Sequence, residues 1–149
     1  MSHTPLHLCA SALAIILACS ACSPVPQKPL DGGMARVNLD ADVGNDVRAY
    51  RLDGELTPSI RFGDITPGAH SLQVRYHFEV PGGAGSGALL DANLRTCVME
   101  VKYDNFAAGM QYLLKTERRG WRPAGWLYDQ QTQEKLVDAE EVRCGPGAK

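Results

Sequence analysis

The stretch Leu72-Gln73-Val74-Arg75-Tyr76-His77-Phe78-Glu79-Val80 alternates apolar and polar residues at each of its nine positions. A period of two puts Leu72, Val74, Tyr76, Phe78 and Val80 on one side of an extended chain, and β-branched and aromatic residues suit a pleated, half-buried surface. The stretch therefore reads as a strand with that side on the core, each fully buried side chain contributing about 1.5–3 kcal/mol. Outward from it, residues 35–41, 47–52, 59–62, 97–103, 110–116 and 126–129, with a short segment near Val142, carry similar if less regular patterns. Asp53-Gly54, Pro67-Gly68, Asp104-Asn105, Gly120, Pro123 and Gly125 supply the turn chemistry between them. Residues 132–139 alone have room for one or two helical turns. The expected fold is all-β, a single antiparallel β-sandwich of seven to eight short strands.

With 149 residues, 44 % hydrophobic, 21 % charged and a formal charge of -2, the chain suits one modest domain. That charge balance predicts no nucleic-acid partner. No Asp, Glu, Lys or Arg precedes Lys28, so everything ahead of that lysine is a separate kind of segment. From Leu6 to Ala18 runs an apolar stretch of about 13 residues, short of the roughly 20 that span a bilayer. It reads as a signal-peptide core, although the start ahead of it, Met1-Ser2-His3-Thr4-Pro5, offers only a histidine where Lys or Arg is usual.

Ile16-Leu17-Ala18-Cys19 follows, and it resembles the lipobox of bacterial lipoproteins, whose Cys thiol accepts the diacylglyceryl group. Cys19 is the expected lipidation site. Cys22, in Cys19-Ser20-Ala21-Cys22, is the alternative, and a conventional cleaved signal peptide without lipid is a further one. Ser20 in place of Asp after Cys19 implies, by the same resemblance, sorting to the outer membrane. Residues 1–18 are then a lipoprotein signal peptide, and 19–33, rich in Pro and Gly, the lipidated Cys and a flexible tether. Residues 34–144 form the sandwich and 145–149 a disordered tail.

Cys97 and Cys144 are the cysteines left inside the domain. An oxidising periplasm lets them pair, closing a loop of about 48 residues that the chain-entropy model values at roughly 4 kcal/mol. Candidate chemistry is otherwise thin. The glycine-rich run Pro81-Gly82-Gly83-Ala84-Gly85-Ser86-Gly87-Ala88 lacks the Lys-Ser or Lys-Thr of a phosphate loop, and Ala84 breaks a hydrolase Gly-x-Ser-x-Gly elbow at Ser86. His70 and His77 do not form a ligand set with the cysteines, so no metal, cofactor or catalytic residues are expected. Trp121 and Trp126, preceded by Arg118-Arg119, are candidate ligand contacts, suited to stacking on sugars, peptidoglycan fragments or lipid headgroups.

Leu52-Asp53-Gly54-Glu55-Leu56-Thr57-Pro58, then Asp64-Ile65-Thr66-Pro67-Gly68-Ala69-His70 leading into the alternating strand, resembles the repeat of PEGA-type surface-layer and periplasmic β domains. The turn here lacks the Glu of that motif, and the likeness is confined to positions 52–74. The wider layout is similar to a family of small uncharacterised proteobacterial lipoproteins: lipobox, tether, Ala108-Gly109 ahead of Tyr112, Trp126-Leu127-Tyr128-Asp129 and a terminal Cys. Both resemblances imply a PEGA-like or immunoglobulin-like sandwich and an envelope location, and bring no catalytic residues.

The expected function is a non-catalytic binding or structural module, anchored by lipid on the periplasmic face of the outer membrane. Its expected partners are that membrane and another envelope protein or peptidoglycan. The alternatives are a small periplasmic enzyme or inhibitor, or a secreted binding protein without lipid.

Overall fold

The computed structural model describes residues 28–80 and 94–145. The signal peptide, Cys19, Cys22, most of the tether, the glycine-rich run and the last four residues lie outside the described residues. Among the described residues nine strands follow one another: β1 (Arg36–Ala41), β2 (Asp46–Leu52), β3 (Glu55–Leu56), β4 (Gly68–Glu79), β5 (Leu94–Phe106), β6 (Gln111–Arg119), β7 (Arg122–Asp129), β8 (Lys135–Asp138) and β9 (Glu140–Gly145). They form a four-stranded sheet, order β1-β6-β7-β8, and a five-stranded sheet, order β3-β2-β4-β5-β9. The protein is an all-β sandwich.

The alternating stretch behaves as its pattern demands up to Glu79, where β4 ends and leaves Val80 half-buried beyond it. Leu72, Val74, Tyr76 and Phe78 of β4 are all buried, and β4 pairs with β5 from Gly68↔Phe106 to Glu79↔Leu94. Val37 of β1, Cys97, Met99 and Val101 of β5, Tyr112 and Leu114 of β6 and Leu127 of β7 fill the same core. Asp53 and Gly54, both at positive φ, make the two-residue hairpin between β2 and β3, the backbone that an Asp-Gly pair adopts at least cost.

Several expectations need correction. All pairs are antiparallel except β1 and β6, which run parallel from Arg36↔Gln111 to Ala41↔Thr116. Residues 59–62 are not a strand: Pro58 has no N–H to give, and the segment crosses between the sheets, touching β2 through Ala49 N–H to Ile60 O at 2.9 Å and β1 through the Ala35↔Ile65 bridge. Asp104 and Asn105 lie inside β5, and the turn falls later, where Gly109 takes φ +74°. Pro123 and Gly125 lie inside β7. Pro123 is tolerated because β8 reaches only Trp126 to Tyr128, which leaves that edge of β7 open at residue 123. Gly125 is a close-approach site, since a Cβ there would stand 3.0 Å from Met99 Cε and 3.2 Å from both Ala139 Cβ and Lys115 O.

Residues 132–139 form no helix. Asp129 Oδ1 accepts the amides of Gln131 and Thr132, Gln133 takes φ +60°, and the chain returns as β8.

Candidate functional site

β1 is the edge of the four-stranded sheet, and its register states which backbone groups it leaves unused. Arg36 N–H donates to Met110 O and Asp42 N–H to Thr116 O, so residues 36, 38, 40 and 42 point their peptide groups at β6. Residues 35, 37, 39 and 41 then point theirs the other way. Ala35 exchanges both of its bonds with Ile65, at 2.8 Å each. Beyond it, Val37, Leu39 and Ala41 have no backbone partner on that side among the described residues.

A groove of about 820 Å³ lies along this edge. Val37, Leu39, Val47 and Phe62 give it an apolar floor, and Ile60, 60 % exposed, stands on its rim. The 57–66 crossover makes the far wall, held to β2 by Thr57 N–H to Tyr50 O and closed at its end by the Ala35 bridge. At that closed end the Arg36 guanidinium grips Asp64 with two bonds, 2.7 and 2.9 Å, and donates a third to Lys28 O at 2.8 Å. That fork holds the Asp64 carboxyl below its ordinary range and the guanidinium above its own. Asp46, the other carboxylate lining the groove, is paired with Arg48. Both acids are thus committed to guanidinium partners, while Lys28 and Arg61 add cationic side chains to a lining of hydrogen-bonding backbone and apolar floor.

Turns at the ends of the sandwich are pinned by polar side chains that do not line the groove. Tyr76, fully buried, donates its hydroxyl to Asp42 in the β1–β2 turn, and Asp42 Oδ2 accepts from Arg118 N–H at 3.3 Å. Burial, reinforced by Asp42, raises the Tyr76 phenol above its usual range. At the other end Asp53 accepts from Ser71 N–H and faces His70 Nδ1 at 2.7 Å, while His70 Nε2 lies 2.8 Å from Thr66 O. Partial burial opposes ionisation of Asp53, but the Ser71 amide and the His70 ring outweigh it and keep its carboxyl below the ordinary range. This pair stitches the Asp53-Gly54 hairpin to the Pro67-Gly68 turn.

His77 is elsewhere, beside Thr96 Oγ1 at 2.9 Å. No group of three His, Cys, Asp or Glu residues that could hold a metal occurs among the described residues.

Trp121 and Trp126 are outside the groove. Trp121, 57 % exposed, sits at the β6–β7 turn, where its carbonyl accepts from Arg95. Trp126 faces outward from β7, half-buried, with the Arg119 guanidinium 4.7 Å from its ring centre. The alternation of β7, with Gly125 and Leu127 inside, puts Trp126 and Tyr128 together on the outer face of that sheet.

Cys97 and Cys144 are directly opposed on β5 and β9 and form the disulfide. Such a bond belongs to an oxidising, extracytoplasmic compartment. The edge site itself was missed in the sequence, where β1 shows only apolar residues at alternate positions; its openness depends on β6, a partner remote along the chain.

Comparison of the chain with protein-family models, curated proteins and solved structures returned no match.

Proposed function

We propose that the protein is a cell-envelope lipoprotein, held on the periplasmic face of the outer membrane by acylated Cys19, with Cys22 the alternative, whose PEGA-like sandwich binds without catalysis. The occupant of its site is an extended segment of another envelope protein, added to β1 as a further strand. The observation that carries this reading is the open edge at Val37, Leu39 and Ala41 above an apolar floor. Backbone groups without partners give a strand-adding site its affinity, and pockets for alternate side chains give it selectivity.

The disulfide supports the compartment, and the position of Lys28 supports the geometry. Its carbonyl is fastened beside the groove, so the short run of chain back to Cys19 would keep the groove within about 30 Å of the anchored membrane. Peptidoglycan on the surface aromatics Trp121, at the β6–β7 turn, and Trp126 is the second reading, favoured by the exposure of Trp121.

The test uses a panel of synthetic nonapeptides with apolar residues at alternate positions. Binders are expected to slow hydrogen exchange at the amides of Val37, Leu39 and Ala41. Ala41→Pro removes an outward donor while sparing the β6 ladder, and an edge strand tolerates it. It should weaken binding at least tenfold with little change in melting temperature. Equal binding by the variant, or protection confined to other strands, overturns strand addition. The anchor is tested separately by intact mass of the membrane-extracted protein: a chain beginning at Cys19 with acyl chains and two hydrogens fewer for the disulfide is expected. A mass without lipid overturns the anchoring.

A further inference from the structure

The outer face of the five-stranded sheet carries a cluster that the strand-adding edge does not use. Tyr50 stands at the bulge of β2, between Ala49 and Arg51, where the register with β4 shifts. The Arg75 guanidinium of β4 lies 4.0 Å from its ring centre and that of Arg51 5.1 Å. From β9, two strands beyond β4, Arg143 Nη2 donates to the Tyr50 hydroxyl at 3.4 Å. Val98 of β5 lies between, cross-strand neighbour of both Arg75 and Arg143, and is 1 % exposed although its side chain points away from the core. The long side chains therefore close over this face.

Arg51 and Arg75 crowd their positive charge around one phenol, and Asp46 of β2 and Glu100 of β5 are engaged with other partners, while Glu140 of β9 stands opposite Glu100. Asp46 pairs with Arg48 beside it on β2. Glu100 of β5 accepts from Ser71 and Gln73 and pairs with Lys102. Arg51 gives a bond to the backbone carbonyl of Gly54. Arg75 Nε is buried and has no acceptor among the described residues, and buried donors of that kind are rarely left empty.

We propose that Arg51 and Arg75, gathered around Tyr50 with Arg143 at its hydroxyl, form an anion site for a phosphate-bearing ligand. Planar forks matched to tetrahedral oxyanions, stacked on an aromatic face, are the arrangement in which arginine exceeds lysine. The field there is felt by Tyr50 itself: the Arg51 and Arg75 guanidiniums pull its phenol down to about 8. An anion bound among them would cancel that pull.

The experiment follows the tyrosinate absorbance of the intact domain against pH, with Tyr50→Phe assigning the early step to Tyr50. Millimolar inorganic phosphate, at constant ionic strength, should move that step up toward the ordinary value of about 10. Arg75→Gln, and Arg75→Lys, which keeps the charge but loses the fork, should each weaken the phosphate effect at least tenfold, with melting curves confirming the fold. Vesicles of phosphatidylethanolamine with phosphatidylglycerol form the second arm. A response to free phosphate identifies a soluble ligand, and a response to vesicles alone identifies a headgroup. A Tyr50 step unmoved by either, or moved equally in Arg75→Lys, overturns the site.

Discussion

Replacing Cys97 and Cys144 together by alanine should lower the stability of the domain by about 4 kcal/mol, the chain-entropy value for a loop of about 48 residues. The expected effect is large because β9 is otherwise held by one ladder and by exposed side-chain bonds such as Arg143 to Tyr50 and Glu141 to Arg122. It is an edge strand, paired only with β5, and its residues from Glu140 to Arg143 are all exposed. Its pairing shifts register between Val98 and Met99, which weakens the ladder further. Without the covalent bond β9 should fray, and the Cys97→Ala change removes a sulfur from a fully buried position in the core. Urea unfolding of the double variant against the oxidised protein gives the number, and hydrogen exchange shows where it is lost. A midpoint unchanged within error would show that the ladder alone secures the strand.

The second large effect is expected at Phe106. This residue closes β5 and is 2 % exposed, with edge-on contacts to Tyr103 and Tyr112 at 5.1 and 4.9 Å between ring centres and a tilted one to His70 at 5.9 Å. Phe106→Ala should cost about 3–5 kcal/mol, the range for removing a large buried aromatic. The loss would spread, because the cluster positions two turns. Tyr112 turns its hydroxyl back to accept the amide of Ala107 at 2.8 Å, and His70 holds Asp53 at the β2–β3 hairpin. A midpoint shift in urea accompanied by changed resonances for His70 and Ala107 is the expected signature. A cost below about 1 kcal/mol would show that the ring is replaceable by repacking.

Phe106 also marks where reading the chain falls short. The strand at residues 72–80 was legible because nine alternating residues leave no other periodicity open. Asp104-Asn105 looked like a turn because local propensity is all a short window contains; they have no register partner on β4 and form an irregularity opposite Ala69, after which the pairing resumes at Phe106. Pro123 and Gly125 failed for the same reason: a long partner strand, β6, imposes extension on residues that would otherwise bend the chain.

β3 is only two residues long, too short for any pattern to register. The open edge of β1 was unreadable altogether, since it is a property of which strand lies beside it. The cysteine pair was the exception among long-range features, because thiol chemistry leaves so few partners to choose from. Trp121 and Trp126 were legible as exposed aromatic candidates and lie on the surface, but away from the groove, and the arginine cluster around Tyr50 is dispersed over three strands in the sequence.

The parallel pairing of β1 with β6 has a consequence for the order in which the molecule is made. Arg36 leaves the ribosome well before Gln111, its partner, with β2 to β5 synthesised in between. At about 5–20 residues per second, several seconds pass in which Val37 and Leu39 have no sheet to enter. β1, first of the described strands to be synthesised, is therefore among the last to be secured, and during that interval it offers two bare edges and an apolar side. Such a segment is what chaperone holdases recognise, so the chain should depend on one until β1 meets β6, whereas a variant with β1 transplanted behind β6 would depend on it less.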